Sequence, residues 1–200
     1  MNAFRYVDSP IGRLLLTTDG SALTGLYMET SRTPLPMNGW TEDATRGCLP
    51  ETVQQLSEYF AGSRREFELA LNLNGTEFQR RVWRELTEIP YGETWSYGQL
   101  AARIEKPTAS RAVGLANGSN PISVIIPCHR VIGANGSLTG YGGGLPRKRW
   151  LLAHEGALTR EFALDQRQCD GENRAAAVGA VVGNGRAAVK FRDQSHDVQT

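Results

Sequence analysis

Apolar residues in 13–28 form two short runs, 13–18 and 22–28, on either side of Asp19-Gly20. Two strand-length runs about an Asp-Gly signal predict a β-hairpin. Residues 30–50 have little periodicity and contain Pro34, Pro36, Asn38, Gly39 and Pro50, which predicts a long surface loop. Val53, Leu56 and Phe60 then recur at helical spacing. Residues 66–71 alternate, with Phe67, Leu69 and Leu71 on one face, as a strand does. This first unit, 1–75, is α+β and shows no chemistry of its own.

The pattern changes at Thr76. Thr76-x-x-Gln79 is a capping-box signature, and Phe78, Val82, Leu86 and Ile89 follow on one helical face that ends before Pro90. Ser96-x-x-Gln99 opens a second helix with Leu100 and Ile104 inward, broken at Lys106-Pro107. A third runs over 108–117, with Gly118 in the usual closing position. Two short helices joined by a tight turn predict a helix-turn-helix whose later helix is the recognition element. Beyond Arg111 that helix offers Ala112, Val113, Gly114, Leu115 and Ala116, which permit close backbone approach but little base-edge hydrogen bonding. The run 122–126 reads as a short buried strand that Pro127 cannot extend. Pro146 suits the start of a last helix running to Glu155, with Gly156 just beyond. Arg147, Lys148 and Arg149 near its start oppose the helix dipole, so they face phosphate, an acidic partner or plain solvent.

With 200 residues and 40% hydrophobic content, the chain can bury one moderate core or two small ones. No apolar stretch approaches the roughly 18 to 20 residues of a membrane span. Residues 1–13 lack the apolar centre of a secretory signal, so a cytoplasmic protein without a membrane partner is expected. Cys48, Cys128 and Cys169 are odd in number and far apart, which does not suggest a disulfide framework. They and His129, His154 and His196 lack metal-ligand spacing, so no metal is expected. The formal net charge of +1 hides an asymmetry. Residues 1–75 hold 6 basic and 9 acidic side chains, 76–156 hold 10 and 6, and 157–200 hold 6 and 6. Lys and Arg neutralise phosphates, so the excess of four on 76–156 suits a nucleic-acid-facing segment, and it suits a merely solvated surface equally.

The densest candidate chemistry is Ile126-Pro127-Cys128-His129-Arg130-Val131. A thiol becomes a nucleophile when an imidazole or positive charge stabilises its thiolate, and Cys128 has His129 and Arg130 for these roles. The alternative for Cys-His alone is an inert buried cysteine.

From Thr76 to Gly156, and over most of the chain before it, the sequence resembles the O6-alkylguanine-DNA alkyltransferase family. The resemblance is carried by Phe78-Gln79-Arg80-Arg81-Val82-Trp83, Ile89-Pro90-Tyr91-Gly92-Glu93-Thr94, Ser96-Tyr97-Gly98, Ser110-Arg111-Ala112-Val113-Gly114, Asn120-Pro121, Pro127-Cys128-His129-Arg130-Val131, Gly140-Tyr141-Gly142-Gly143-Gly144 and Trp150-Leu151-Leu152-Ala153-His154-Glu155-Gly156, in family order and spacing. It implies an α+β chain: a small RNase H-like domain over 1–75, then a helical winged-helix or helix-turn-helix-like domain over 76–160 bearing the active-site cysteine. Residues 161–200 lie beyond the match and are expected to be a disordered tail.

The implied activity is DNA repair: stoichiometric transfer of an alkyl group from O6-alkylguanine, and also O4-alkylthymine, in double-stranded DNA to Cys128. His129 would deprotonate Cys128 through a water, Glu155 would orient the imidazole, and Tyr97 would donate to the departing guanine. Ser110, Arg111, Ala112 and Gly114 would meet the minor groove, with Arg111 filling the space of a flipped nucleotide. Val131, Tyr141, Gly142 and Asn120 would form the substrate pocket, with the carbonyls near Cys128 and Val131 accepting the guanine amino group. Several family members have serine at the position of Gly142, and some carry zinc, though their ligands are not recognisable here. No cofactor, nucleotide or metal is implied, and the protein is expected to be a monomer with cooperative assembly on DNA left open. Read from the residues alone, Tyr97 is also a core tyrosine, Asn120 a turn residue and Arg111 a surface charge. The competing functions are an alkyl-DNA-binding protein, a redox-sensing helix-turn-helix regulator and a Cys-His hydrolase of small molecules.

Overall fold

The computed structural model describes residues 2–29 and 38–158. Ala3–Val7 (β1), Leu14–Thr18 (β2) and Leu23–Met28 (β3) form an antiparallel meander, and Thr41–Glu42 (β4) adds a parallel edge to give the order β3-β2-β1-β4. The hairpin forms at the predicted place because the Asp19 carboxylate accepts the Ser21 and Ala22 amides at 2.8 and 2.9 Å. Every residue of β2 is buried, so this central strand shows no alternation. Leu49–Phe60 (α1) packs against β1 and β2.

The predicted loop over 30–50 needs correction on its described part. It contains β4, whose two residues are too few to show periodicity, and α1 begins at Leu49, with Pro50 in the first turn where a missing N–H costs little. Residues 66–71 bury Phe67, Leu69 and Leu71 as predicted, but only Leu71 bridges to the sheet, through Leu23.

The second half contains Glu77–Leu86 (α2), Trp95–Ser96 (β5), Tyr97–Arg103 (α3), Ser110–Gly118 (α4), Val131–Ile132 (β6) and Leu145–His154 (α5). Both capping boxes form: Thr76 with Gln79 on α2 and Ser96 with Gln99 on α3. Helices α2, α3 and α4 pack together, and β5 pairs in parallel with β6. Gly118 does not close α4 in a left-handed conformation as predicted. It is the last helical residue, and Ser119 caps the helix by donating its amide to Leu115 and Ala116.

Residues 122–126 are buried but are not a strand. Ile122 bridges to Leu26, after which Val124 turns the chain with φ of 71° and the Ile125 amide donates to the Ser123 carbonyl at 2.9 Å. An amide reaching back two residues around a positive φ is a γ-turn, unfavourable for a β-branched residue. Apolar content alone does not separate a buried turn from a buried strand.

Apolar side chains of 1–75 and 76–158 share one core, in which Leu14, Leu16 and Leu26 pack with Ile122, Ile126 and Leu151. Backbone pairing continues across the junction: the Leu26 amide donates to Pro121 and the Ser123 amide to Leu26. The sheet therefore holds the segment leading to Cys128. The tail expected over 161–200 lies outside the described residues.

Candidate active site

Cys128 opens a 3-10 turn, Cys128–Arg130, and is 4% exposed. Its amide donates to Ile126 at 2.8 Å around Pro127, whose φ and ψ of −82° and 60° make a second tight turn. Two turns in six residues reverse the chain and deliver three consecutive side chains, Cys128, His129 and Arg130, into buried surroundings.

Glu155 organises them. Its Oε1 accepts from Tyr59 Oη at 2.7 Å, His129 Nε2 at 2.8 Å and an Arg130 guanidinium nitrogen at 3.0 Å. Its Oε2 accepts from Arg130 Nε at 2.8 Å and the Gly92 amide at 3.4 Å. Arg130 also donates to the Ile89 carbonyl at 2.6 Å. Burial pushes the Glu155 carboxyl up, but the charges and hydrogen bonds of His129 and Arg130 outweigh it and hold the group well below the ordinary carboxylate range. The position follows from the helix end: Gly156 takes φ of 73° and the Ala157 amide returns to Leu152, so α5 stops with Glu155 turned inward. The Gly92 contact requires glycine, since a Cβ there would lie 2.9 Å from the Glu155 carbonyl oxygen.

A carboxylate on Nε2 sets the imidazole tautomer: Nε2 carries the proton and Nδ1 has a free lone pair. Nδ1 is buried without a hydrogen-bond partner among the described residues. Burial lowers the His129 pKa and Glu155 works against it, with the net direction downward, which keeps the ring a neutral base. For Cys128, burial raises the thiol pKa, countered by the Asn120 amide, the Lys148 charge and Ser123.

Lys148 corrects the expectation of a solvent- or phosphate-facing basic run. It is fully buried, and Nζ donates to the carbonyls of Val131 at 2.6 Å, Thr139 at 2.7 Å and Gly140 at 3.5 Å. Burial pulls its pKa down to about 8. Arg147 is likewise turned inward, donating to the carbonyls of Ile11 at 2.6 Å and Gly143 at 3.0 Å, and only Arg149 is exposed. Carbonyls of irregular loops need donors, and the first turn of α5 supplies them. Arg130, named from sequence as a charge beside Cys128, instead pairs with Glu155.

An open cavity of about 290 Å³ reaches Cys128 and is lined also by Asn117, Asn120, Ser123, Gly142 and Met28. Asn120 lines the cavity: its side-chain amide donates to the Ile126 carbonyl at 2.8 Å, and its side-chain oxygen accepts the Ile122 amide at 3.0 Å. Val131 does not line this cavity; it is fully buried, and its carbonyl accepts a hydrogen bond from Lys148 Nζ. Tyr141 is also outside the lining, and its hydroxyl is buried without a hydrogen-bond partner among the described residues. Tyr97 is half-buried beside α4, close to Gly114 and Gly140, and donates to the Thr139 carbonyl at 3.5 Å.

The glycine run separates two tolerances. A Cβ on Gly142 would meet only the Gly118 carbonyl oxygen at 3.8 Å, whereas on Gly143 it would lie 2.1 Å from Met28 Sδ and 2.9 Å from the Tyr141 ring. Gly142→Ala is expected to change stability by less than about 0.5 kcal/mol. Gly143→Ala is expected to cost about 1–3 kcal/mol through overpacking. Thermal denaturation of the two variants checks this, and equal losses would contradict it.

Helix α4 buries Val113, Ala116 and Asn117 and presents Arg111, Ala112, Leu115 and Gly118 outward, with Ser110 and Gly114 half-buried. Leu115 is 73% exposed. The face is smooth, with one long cation, Arg111, at its N-terminal end. Among the described residues no three His, Cys, Asp or Glu side chains gather as a metal ion requires.

Two participants were missed from sequence. Tyr59 lies 96 residues from Glu155, on the helix assigned no chemistry, and no local pattern reveals the contact. Lys148 carried a signal, being a cation in a helix's first turn where the dipole disfavours it.

A family description, "6-O-methylguanine DNA methyltransferase, DNA binding domain", matches residues 77–157, and its "ribonuclease-like domain" counterpart matches residues 3–73. A methylated-DNA–protein-cysteine methyltransferase of Mycolicibacterium paratuberculosis is 56% identical over 155 residues, covering 78% of this chain and 93% of that protein. One from Methanosarcina acetivorans is 49% identical, covering 77% and 98%. The crystal structure of Mycobacterium tuberculosis OGT in complex with DNA superposes with a TM-score of 0.71 at 53% identity, covering 78% of this chain and 93% of that one.

Proposed function

As the chain belongs to the 6-O-methylguanine DNA methyltransferase family, a group acting in DNA repair by alkyl transfer, we propose that Cys128 accepts the alkyl group, once per molecule, from O6-alkylguanine in duplex DNA. O4-alkylthymine, with the same alkyl–oxygen bond, is the second substrate. The observation that carries the assignment is the buried series Cys128, His129, Glu155, in which Glu155 occupies His129 Nε2 and leaves Nδ1 free to accept a proton.

The target bond lies inside the base stack, so the nucleotide is flipped out of the duplex at a cost of roughly a few kcal/mol. Helix α4 enters the minor groove, and Arg111 takes the space the nucleotide leaves. The proton on Cys128 Sγ passes through a water to His129 Nδ1, and the imidazolium is stabilised by Glu155. The thiolate forms a bond to the alkyl carbon as the carbon–oxygen bond breaks, with the electron pair leaving on the guanine. Tyr97 supplies a hydrogen bond or proton to compensate that charge. Lys148, whose charge favours the thiolate, is fixed by three carbonyls and needs no reorganisation during the reaction.

The product is a thioether, a poor leaving group, and no residue of the site offers a way to cleave it. Excess methylated duplex is therefore expected to yield one transferred group per chain and then stop, while sustained turnover would contradict the reading. Flipping and chemistry are separable at Arg111. Arg111→Ala is expected to slow transfer from duplex DNA by roughly tenfold or more, the scale of a lost charged contact, while changing reaction with free O6-benzylguanine less than about threefold. Equal losses on both substrates would show that Arg111 acts through the fold.

A further inference from the structure

We propose that Tyr59, carried by α1 outside the DNA-binding half, is a positioning residue of the transfer site that limits how much of the Glu155 charge reaches His129. The proposal rests on the reading of His129 as the base for Cys128.

Three donors share Glu155 Oε1: Tyr59 Oη at 2.7 Å, His129 Nε2 at 2.8 Å and Arg130 at 3.0 Å. The Tyr59 contact is the shortest of the three and comes from a neutral group. Tyr59 is held at both ends. Its ring packs edge-on against Phe60, Tyr91 and His154 and beside Phe67, and its carbonyl accepts from His154 Nε2 at 2.8 Å. Side chain and carbonyl thus grip consecutive residues at the end of α5. The phenol stays protonated across the working range, because burial and the Glu155 charge push its pKa well above the ordinary value.

A hydrogen bond to a carboxylate oxygen withdraws part of its charge. With Tyr59 in place, Oε1 stabilises the His129 imidazolium less than a free carboxylate would, so the ring remains an unprotonated base at lower pH. Other groups act on the same pair. Arg130 on the shared turn and Lys148 on α5 disfavour the imidazolium, and Tyr91 faces Glu155 with Arg65 beyond it. The Cys128 thiol is the proton's source. Tyr59→Phe leaves these groups in place and keeps the ring's packing, so it isolates the hydroxyl.

The sign follows. Removing the hydroxyl concentrates charge on Oε1, raises the His129 pKa and moves the acid limb of the rate profile to higher pH. The test is the rate of alkyl transfer from free O6-benzylguanine to the full-length protein as a function of pH, together with NMR titration of the His129 ring. Tyr59→Phe is expected to raise both midpoints by about one pH unit, with up to about tenfold slower transfer below the limb and less than threefold change on the plateau. Phe67→Leu, which loosens the same aromatic cluster but has no atom on Glu155, lowers the melting temperature and leaves the limb in place. Incorporation of a fluorinated tyrosine at position 59, a stronger donor, moves the limb the opposite way and keeps the proposal testable should Tyr59→Phe fold poorly. A wild-type acid limb that does not move in Tyr59→Phe, or that moves equally in Phe67→Leu, overturns the proposal while leaving the His129 reading intact. A wild-type protein whose transfer shows no dependence on His129 protonation refutes the reading on which the proposal rests.

Discussion

Glu155→Ala is expected to destabilise the protein by about 3–5 kcal/mol, because it leaves the Arg130 guanidinium buried without its counter-charge. For a domain of this size that corresponds to a fall in melting temperature of roughly 10 °C. Alkyl transfer should be lost as well, since the His129 tautomer and orientation both depend on the carboxylate. The pH dependence gives a second signature. The Glu155 pKa is depressed in the folded state, so its stabilisation is fully present above its unfolded value, near 4.5, and is lost as pH falls below that. His129 is also held below its unfolded value of 6.5, so protonating it costs the folded state stability as pH drops through that region. The native protein should therefore lose stability in two stages on acidification, first as pH falls below 6.5 and then as it falls below 4.5. The Glu155→Ala curve should show a smaller second stage, carried by Asp19, whose hydrogen bonds hold its carboxyl at about 2, and should approach the wild type at low pH. Parallel curves down to low pH would show that Glu155 is not the group responsible.

Features written in adjacent residues were legible before the structure. The two capping boxes, the Asp19 hairpin and the Gly156 stop each depend on a side chain or glycine acting within a few positions, and each forms where expected. Features set by neighbours distant in sequence were not. Apart from Ser123 the run 122–126 is apolar because it is buried in the core beside β3, and its γ-turn at Val124 leaves no compositional mark. β4 is too short for any pattern. Charge was misleading where cations turn inward: Arg130 and Lys148 count toward the basic excess of 76–156, yet one neutralises Glu155 and the other caps three carbonyls. The grouping of Cys128, His129 and Glu155 was legible because the first two are adjacent and the family motifs place Glu155, and the structure joins His129 to Glu155. The network around them, Tyr59 above all, joins residues up to 96 positions apart and appears only in the fold.

Cys128→Ser is expected to abolish transfer while preserving DNA affinity. A serine hydroxyl is far less acidic than a thiol and its oxygen is less polarisable, so with His129 as base it supplies no pre-formed anion for displacement at a saturated alkyl carbon. The outward side chains of α4, proposed to meet DNA, are untouched by the change, so affinity for methylated duplex is expected to stay within about threefold, the range of a substitution that makes no contact with the ligand backbone. The same chain contains Cys48, whose thiol is pushed up by burial and bonded to Thr18, and Cys169 as alternative acceptors. The decisive measurement is incubation of the full-length protein with excess duplex carrying isotope-labelled O6-methylguanine, followed by peptide mapping of the label. One labelled methyl per chain, located on Cys128 and absent from Cys128→Ser, is the predicted result; label on Cys48 or Cys169, or undiminished labelling of the serine variant, would contradict it.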